Sequence, residues 1–267
     1  MQKNTPVPTA AATVAAVLAA ATALALAGCG SSASSSSSGS SSGSSSSSAT
    51  HSAAAAAAPA PTSAGSSASV PFPVAVGDTW TYNTTAAGES GTTVDKMTAV
   101  TPVVGGQQVT MTHTDHLAGV NDTSTETYIF QSDGSISYPL GQLSAGSGVT
   151  VSSGGIVWPP ASVIDSGKPT QSDIKLSIKE GGQAISTTAH VTVQGAGTAT
   201  VTVPAGTYQA TVVLITEQIS IAGVTATVQV KTWLAPDVGP VKDQVVTTDA
   251  GASNVAATEE LVSFTTG

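Results

Sequence analysis

The chain of 267 residues contains no arginine, only seven lysines and a single cysteine. Each shortage excludes something. Nucleic-acid backbones are gripped by arginine forks and basic clusters, so a chain with formal net charge -9 is not expected to bind nucleic acid. No polybasic run is present that could hold a protein to anionic lipid headgroups. One cysteine cannot build an intramolecular disulfide framework. Catalytic signatures are missing too. There is no H-E-x-x-H, no phosphate loop and no dinucleotide fingerprint. The G-x-S-x-G match at Gly39–Gly43 lies inside a tract of almost pure serine, where composition alone produces it. Glu259 and Glu260 are neighbours, so on a strand they face opposite ways and do not form a carboxylate pair. The chain is therefore expected not to be an enzyme and to need no cofactor.

The position of the lone thiol is informative. Lys3 supplies a minimal positive start, and an apolar stretch rich in alanine, valine and leucine runs from Ala10 to Ala27. Leu26-Ala27-Gly28-Cys29 then matches the lipobox of bacterial lipoprotein signal peptides. By that resemblance residues 1–28 are a signal peptide, and Cys29 is the lipid attachment site. Two acyl chains anchor durably where one anchors marginally, at roughly 0.8 kcal/mol per buried methylene. No cationic stop-transfer flank follows, as an uncleaved membrane helix would need. The expected location is the extracytoplasmic face of the cell membrane, with the lipid anchor as the membrane partner.

Residues 29–69 follow as serine, alanine, glycine and proline, with no large apolar side chain before Val70. Such a segment cannot bury enough surface to offset its ordering entropy. It is read as a disordered linker, whose r.m.s. span for ~40 residues is about 35 Å.

From Val70 the composition shifts to threonine, valine, glycine and serine in short alternating runs, which favour pleated surfaces. Asp173 to Lys179 alternates cleanly, with Ile174, Leu176 and Ile178 on one face. Glycine turns recur at Gly105-Gly106, Asp133-Gly134, Gly181-Gly182 and Ala222-Gly223. Pro204-Ala205-Gly206 reads as a three-residue hairpin loop. Helix signals are scarce: Pro160 to Asp165 offers one short helix with proline in its first turn, inside a glycine- and proline-rich loop system from Gly141 to Thr170. Residues 70–267 are thus predicted to be one all-β domain of many antiparallel strands, forming a strongly curved sheet or half-barrel or a sandwich, with at most one short helix.

Two stretches carry a family likeness. One is Gly77-Asp78-Thr79-Trp80-Thr81-Tyr82. The other joins Val203-Pro204-Ala205-Gly206-Thr207-Tyr208 to Trp233-Leu234-Ala235-Pro236-Asp237-Val238-Gly239-Pro240-Val241-Lys242. Together they resemble a mostly uncharacterised family of exported bacterial lipoproteins with a V-P-A-G-T-[FY] … W-x-A-P-x-V-G-x-V-K pattern. That pattern is similar to the LolA/LppX-like superfamily, whose members fold as curved half-barrels and in several cases carry lipids or lipoproteins. The resemblance implies an apolar or amphipathic ligand on a curved sheet. The alternative is a structural or interaction module tethered to the membrane without a small-molecule ligand. This chain offers no amphipathic helix to lid a cavity.

Two further sites can be weighed. His113-Thr114-Asp115-His116 invites a metal, but on a strand His113 and Asp115 share one face and His116 points to the other, so no metal site is expected. Thr211 to Ile221 and Val224 to Leu234 form a hairpin in which Ile221 opposes Val224. Val213, Ile215 and Ile219 then share a core face with Ala226, Val228 and Val230, interrupted by Glu217. The opposite face gathers Tyr208, Val212, Leu214 and Trp233, the candidate ligand surface.

Overall fold

The computed structural model describes residues 73–117, 120–138, 149–180, 183–221, 224–249 and 252–267. The expected signal peptide, Cys29 and the expected serine-rich linker lie outside the described residues. Thirteen strands form one antiparallel sheet. In chain order they are β1 (Thr79–Ala86), β2 (Glu89–Val103), β3 (Gly106–Leu117), β4 (Val120–Gln131), β5 (Ile136–Tyr138), β6 (Val149–Ser153), β7 (Ile156–Trp158), β8 (Thr170–Glu180), β9 (Gln183–Val203), β10 (Gly206–Ile221), β11 (Val224–Ala235), β12 (Gly239–Asp249) and β13 (Ala252–Thr265). Among the described residues one short helix, α1 (Ala161–Asp165), interrupts them. The all-β expectation holds.

In space the order is β6-β8-β9-β10-β11-β12-β13-β1-β2-β3-β4-β5-β7. Nearly every neighbour in this order is a sequence hairpin, so most contacts are local. The two edge strands, β6 and β7, are separated by only Gly154 and Gly155. At about 3.5 Å per residue, that link holds the end of β6 and the start of β7 within about 10 Å of each other. The sheet therefore rolls into a barrel-like form whose seam is spanned by covalent chain and not by a ladder. Gly154 makes the crossing, at φ +97°, and a Cβ there would sit 2.3 Å from the Asp173 carbonyl oxygen, which no L side chain tolerates.

Rolling explains the burial pattern. Along each strand alternate residues point inward, and the inward set is buried from one side of the sheet to the other: Ile174 on β8, Val191 on β9, Ile215 on β10, Val230 on β11, Leu261 on β13, Trp80 on β1 and Met97 on β2. Among the described residues they form one core cluster with side chains from across the sheet and with Ile164 of α1. Bulges at Thr81/Tyr82, Met97/Ala99, Thr211/Val213, Trp233/Leu234 and Val245/Val246 supply the bending, since an unpaired extra residue kinks and twists its strand.

From Val149 on, the loop system expected between Gly141 and Thr170 carries two short strands besides the helix expected there. It contains β6, β7 and α1, because Ile156 and Trp158 have an inward face to fill beside Tyr138 and Ile136. The β9–β10 turn is also shorter than expected. Val203 pairs with Gly206, so the loop is Pro204-Ala205 alone and Gly206, at φ +143°, already belongs to the ladder.

The residues of the family likeness clamp the barrel. The Trp80 indole N–H donates to the Val238 carbonyl at 2.6 Å, and the Tyr82 hydroxyl donates to the Pro240 carbonyl at 3.2 Å. The first stretch is thus bolted to the β11–β12 turn of the second. The third piece joins through a bulge: the Ala205 N–H in the Pro204-Ala205 turn donates to the Leu261 carbonyl at 2.9 Å. Asp78 closes the end, accepting from the Ala75 N–H at 2.9 Å and the Gly267 N–H at 3.0 Å. Trp80, Tyr82, Ala205 and Asp78 thus tie together strands that are far apart in the sequence.

Candidate functional site

The inner face carries an unexpected polar row. Cross-strand register places Thr232 opposite Asp243, Asp243 opposite Glu259, and Glu259 opposite Thr84. One step along, Thr93 faces Asp115, Asp95 faces His113, and Met111 faces Glu126. Asp95, Asp115, Glu126, Asp243 and Glu259 are all buried, as is Glu217 further round on β10. Among the described residues no lysine is buried. The row therefore gathers carboxyl groups in a low-dielectric interior without a buried lysine to neutralise them.

Short contacts knit it together. The Thr84 and Thr93 hydroxyl oxygens lie 2.7 Å apart. Glu259 Oε1 is 3.1 Å from the first and 3.2 Å from the second, and Asp115 Oδ1 is 2.7 Å from Thr93. The Thr232 hydroxyl donates to Asp243 at 2.5 Å, and the Tyr128 hydroxyl donates to Glu126 at 2.5 Å. His113 Nδ1 bonds Asp95, and its Nε2 lies 3.6 Å from Asp115. Glu259 Oε2 and Asp243 Oδ2 are buried with no hydrogen-bond partner.

Burial dominates the titration of these groups. Desolvation and then the neighbouring carboxyls of Glu259, Glu126, Asp115 and Asp243 hold Asp95 well above the ordinary carboxylate range. Glu259 is raised in the same way, by burial and then by Asp243 and Asp115. Burial pushes Asp243 up to about 7 against the opposing Thr232 hydroxyl. It pushes Glu126 up to about 7 against its tyrosine hydrogen bonds. Burial pushes the His113 imidazole down to about 4. All of these shifts favour the uncharged forms.

His113, Asp115 and His116 lie on β3. His113 and Asp115 do share a face, and His116 is exposed on the other, but that shared face is the interior. Among the described residues no group of three or more His, Cys, Asp or Glu side chains is arranged to hold a metal ion. Glu259 and Glu260 do face opposite ways; the acidic neighbour of Glu259 is Asp243, across the ladder.

The outer-face residues follow the expected register, with Ile221 opposite Val224, Leu214 opposite Lys231 and Val212 opposite Trp233. Val212 is buried and Ala210 beside it fully so, while Tyr208, Leu214 and Trp233 are partly buried. Tyr208 packs against the core and sits opposite buried Val201. The apolar end of this face is thus largely covered within the domain. Trp233 also packs against the core but keeps part of its surface, as Leu214 does, with Lys231 Nζ 4.5 Å and Lys242 Nζ 5.9 Å from the Trp233 ring centre and Lys242 paired to Glu260 at 2.6 Å.

Comparison with known proteins supports this architecture. A solved structure of a protein named as exported, with a YmcC-like fold, from Bacteroides fragilis is 20% identical, covers 73% of this chain and 98% of its own, and superposes with a TM-score of 0.50. A protein named as a lipoprotein from Parabacteroides distasonis is 16% identical with the same coverages and a TM-score of 0.51. At these identities the likeness is one of fold. No curated protein matches the chain. The DUF3108-like family model matches residues 77–249, from the glycine of the first clamp stretch to the end of β12, and the chain belongs to the DUF3108-like family.

Proposed function

We propose that the protein is an exported lipoprotein, anchored at the extracytoplasmic face of the membrane through Cys29, whose β-domain works without catalysis as a tethered interaction module. The observation that carries this reading is the filled interior. Trp80, Met97, Val191, Val230 and Leu261 are each no more than 1% exposed, packed in one core cluster with other inward side chains of the sheet and Ile164 of α1. An apolar carrier needs concave surface left over for its ligand. Here that surface is spent on the protein's own side chains, so the lipid-carriage role attached to LolA/LppX-like proteins is disfavoured. The fold shared with a protein named as exported and another named as a lipoprotein agrees with an envelope address. So does the lipobox at Leu26 to Cys29. Contact with partners then falls to the outer face, where Trp233 and Leu214 remain partly accessible.

The test is metabolic labelling with palmitate in a bacterial host, followed by membrane fractionation. The native chain takes up label and pellets with membranes, while Cys29→Ser does neither, because only the thiolate forms the thioether. Equal labelling of the two proteins refutes the anchor.

A further inference from the structure

The inner row has more close oxygen contacts than its hydroxyl hydrogens can serve. Three close oxygen pairs run in sequence: Asp115 with Thr93 at 2.7 Å, Thr93 with Thr84 at 2.7 Å, and Thr84 with Glu259 at 3.1 Å. The two hydroxyl groups bring two hydrogens. If Thr93 donates to Asp115, Thr84 can serve Thr93 or Glu259 but not both. A third proton is needed. Placed on Asp115, it completes a directional chain: the Asp115 O–H donates to Thr93, Thr93 to Thr84, and Thr84 to Glu259 Oε1. A second requirement lies next to it. Glu259 Oε2 and Asp243 Oδ2 are buried, unpartnered and carried by residues in direct register. Like charges directly opposite on a sheet repel, and an isolated buried carboxylate is costly.

We propose that this row is a proton-binding site: the folded β-domain takes up protons at Asp115, Glu259 and Asp243 that the unfolded chain releases, and its barrel loosens as the row ionises. Other titratable groups face it from the elements around. These are Tyr82 on β1, Asp95 on β2, His113 on β3, Asp122, Glu126 and Tyr128 on β4, Tyr138 on β5 and Glu217 on β10. No lysine among the described residues is buried with them.

The sign follows from linkage. Asp95, Glu126, Asp243 and Glu259 are all raised in the folded state. Their contribution is full below the ordinary carboxylate value of about 4 and declines as pH rises, reaching its floor for Asp243 and Glu126 above about 7. His113 acts the other way. Lowered to about 4, it restores stability as pH climbs to its ordinary value of about 6.5. One imidazole opposes four carboxyls, so the sum falls with pH. Most proteins show the reverse over this range, losing stability in acid as paired carboxylates protonate.

The full chain, purified in mild detergent, is unfolded with urea at about pH 5 and about pH 8. The midpoint is expected to drop on going to the higher pH. In the doubly substituted Asp243→Asn, Glu259→Gln protein the drop shrinks, and the midpoint at the higher pH equals or exceeds that of the native chain. Infrared spectra of the native chain near neutral pH provide a readout that needs no variant. A carbonyl band of protonated carboxylic acid is expected, and it weakens in the double variant. A midpoint that is flat or rises with pH overturns the proposal, as does the absence of that band. Calcium chloride that restores the midpoint at the higher pH would assign the row to a bound cation and overturn it equally.

Discussion

Replacing Trp80 with phenylalanine tests whether the motif residues hold the barrel together. Trp80 is 1% exposed, its ring stacks on Phe264 at 5.0 Å, and its indole N–H reaches the β11–β12 turn at Val238. Phenylalanine keeps the stack but loses that hydrogen bond and part of the buried ring. The bond is worth about 1 kcal/mol, and the lost packing adds about as much, giving about 2 kcal/mol in all. Alanine removes the whole side chain, at about 3–5 kcal/mol, and the ring pair with it, at about 1 kcal/mol more. Set against a domain stability of about 5–15 kcal/mol, that loss is close to unfolding, so the phenylalanine variant is the quantitative one. Trp233 is the control. It is only partly buried on the outer face, packed against the edge of the core with the Lys231 and Lys242 ammonium groups near its ring, and its change to alanine is expected to cost about 1 kcal/mol. Urea unfolding should be followed by circular dichroism, because the chain's three tryptophans are themselves the groups being altered. If Trp80→Phe costs nothing, or if Trp233→Ala costs as much as Trp80→Ala, the division between clamp and surface is wrong.

Two more outcomes follow from the same geometry. Gly154→Ala places a Cβ against the Asp173 carbonyl at a positive φ, so it should cost about 2 kcal/mol or more and open the seam to proteolysis near that residue; unchanged resistance would mean that the seam does not hold the edges. Limited proteolysis of the native chain should trim the serine-rich segment and stop near Val70, because residues 29–69 lack the apolar side chains that pack a core; a resistant fragment retaining the serine tract would contradict this.

Much of the sheet was legible in the sequence because its signals are local. The β10–β11 hairpin follows from alternation and a two-residue turn, and its register from Ile221–Val224 to Val212–Trp233 is the expected one. The short helix follows from Pro160. The clamp was not legible: Trp80 and Val238 are 158 residues apart, as are Tyr82 and Pro240, and no spacing rule links them. The acidic row escaped for a related reason. Asp95, Asp115, Glu126, Asp243 and Glu259 lie on five different strands, so each reads as a lone polar residue. A signal was nonetheless present in the phase. Asp243 occupies the apolar parity between Val241 and Val245, as Glu217 does between Ile215 and Ile219. An acidic residue in step with a strand's buried positions marks an interior carboxyl, and several such strands in one sheet mark a cluster.

The central claim, a tethered domain with a filled interior, is tested most directly by mass spectrometry of protein gently extracted from membranes, measured first in the native state and then denatured. The account expects one mass in both: the chain from Cys29 onward with its covalent acyl groups and no other molecule. A lipid that accompanies the native protein at one per chain and leaves on denaturation would show that the barrel opens to a ligand, and would contradict it.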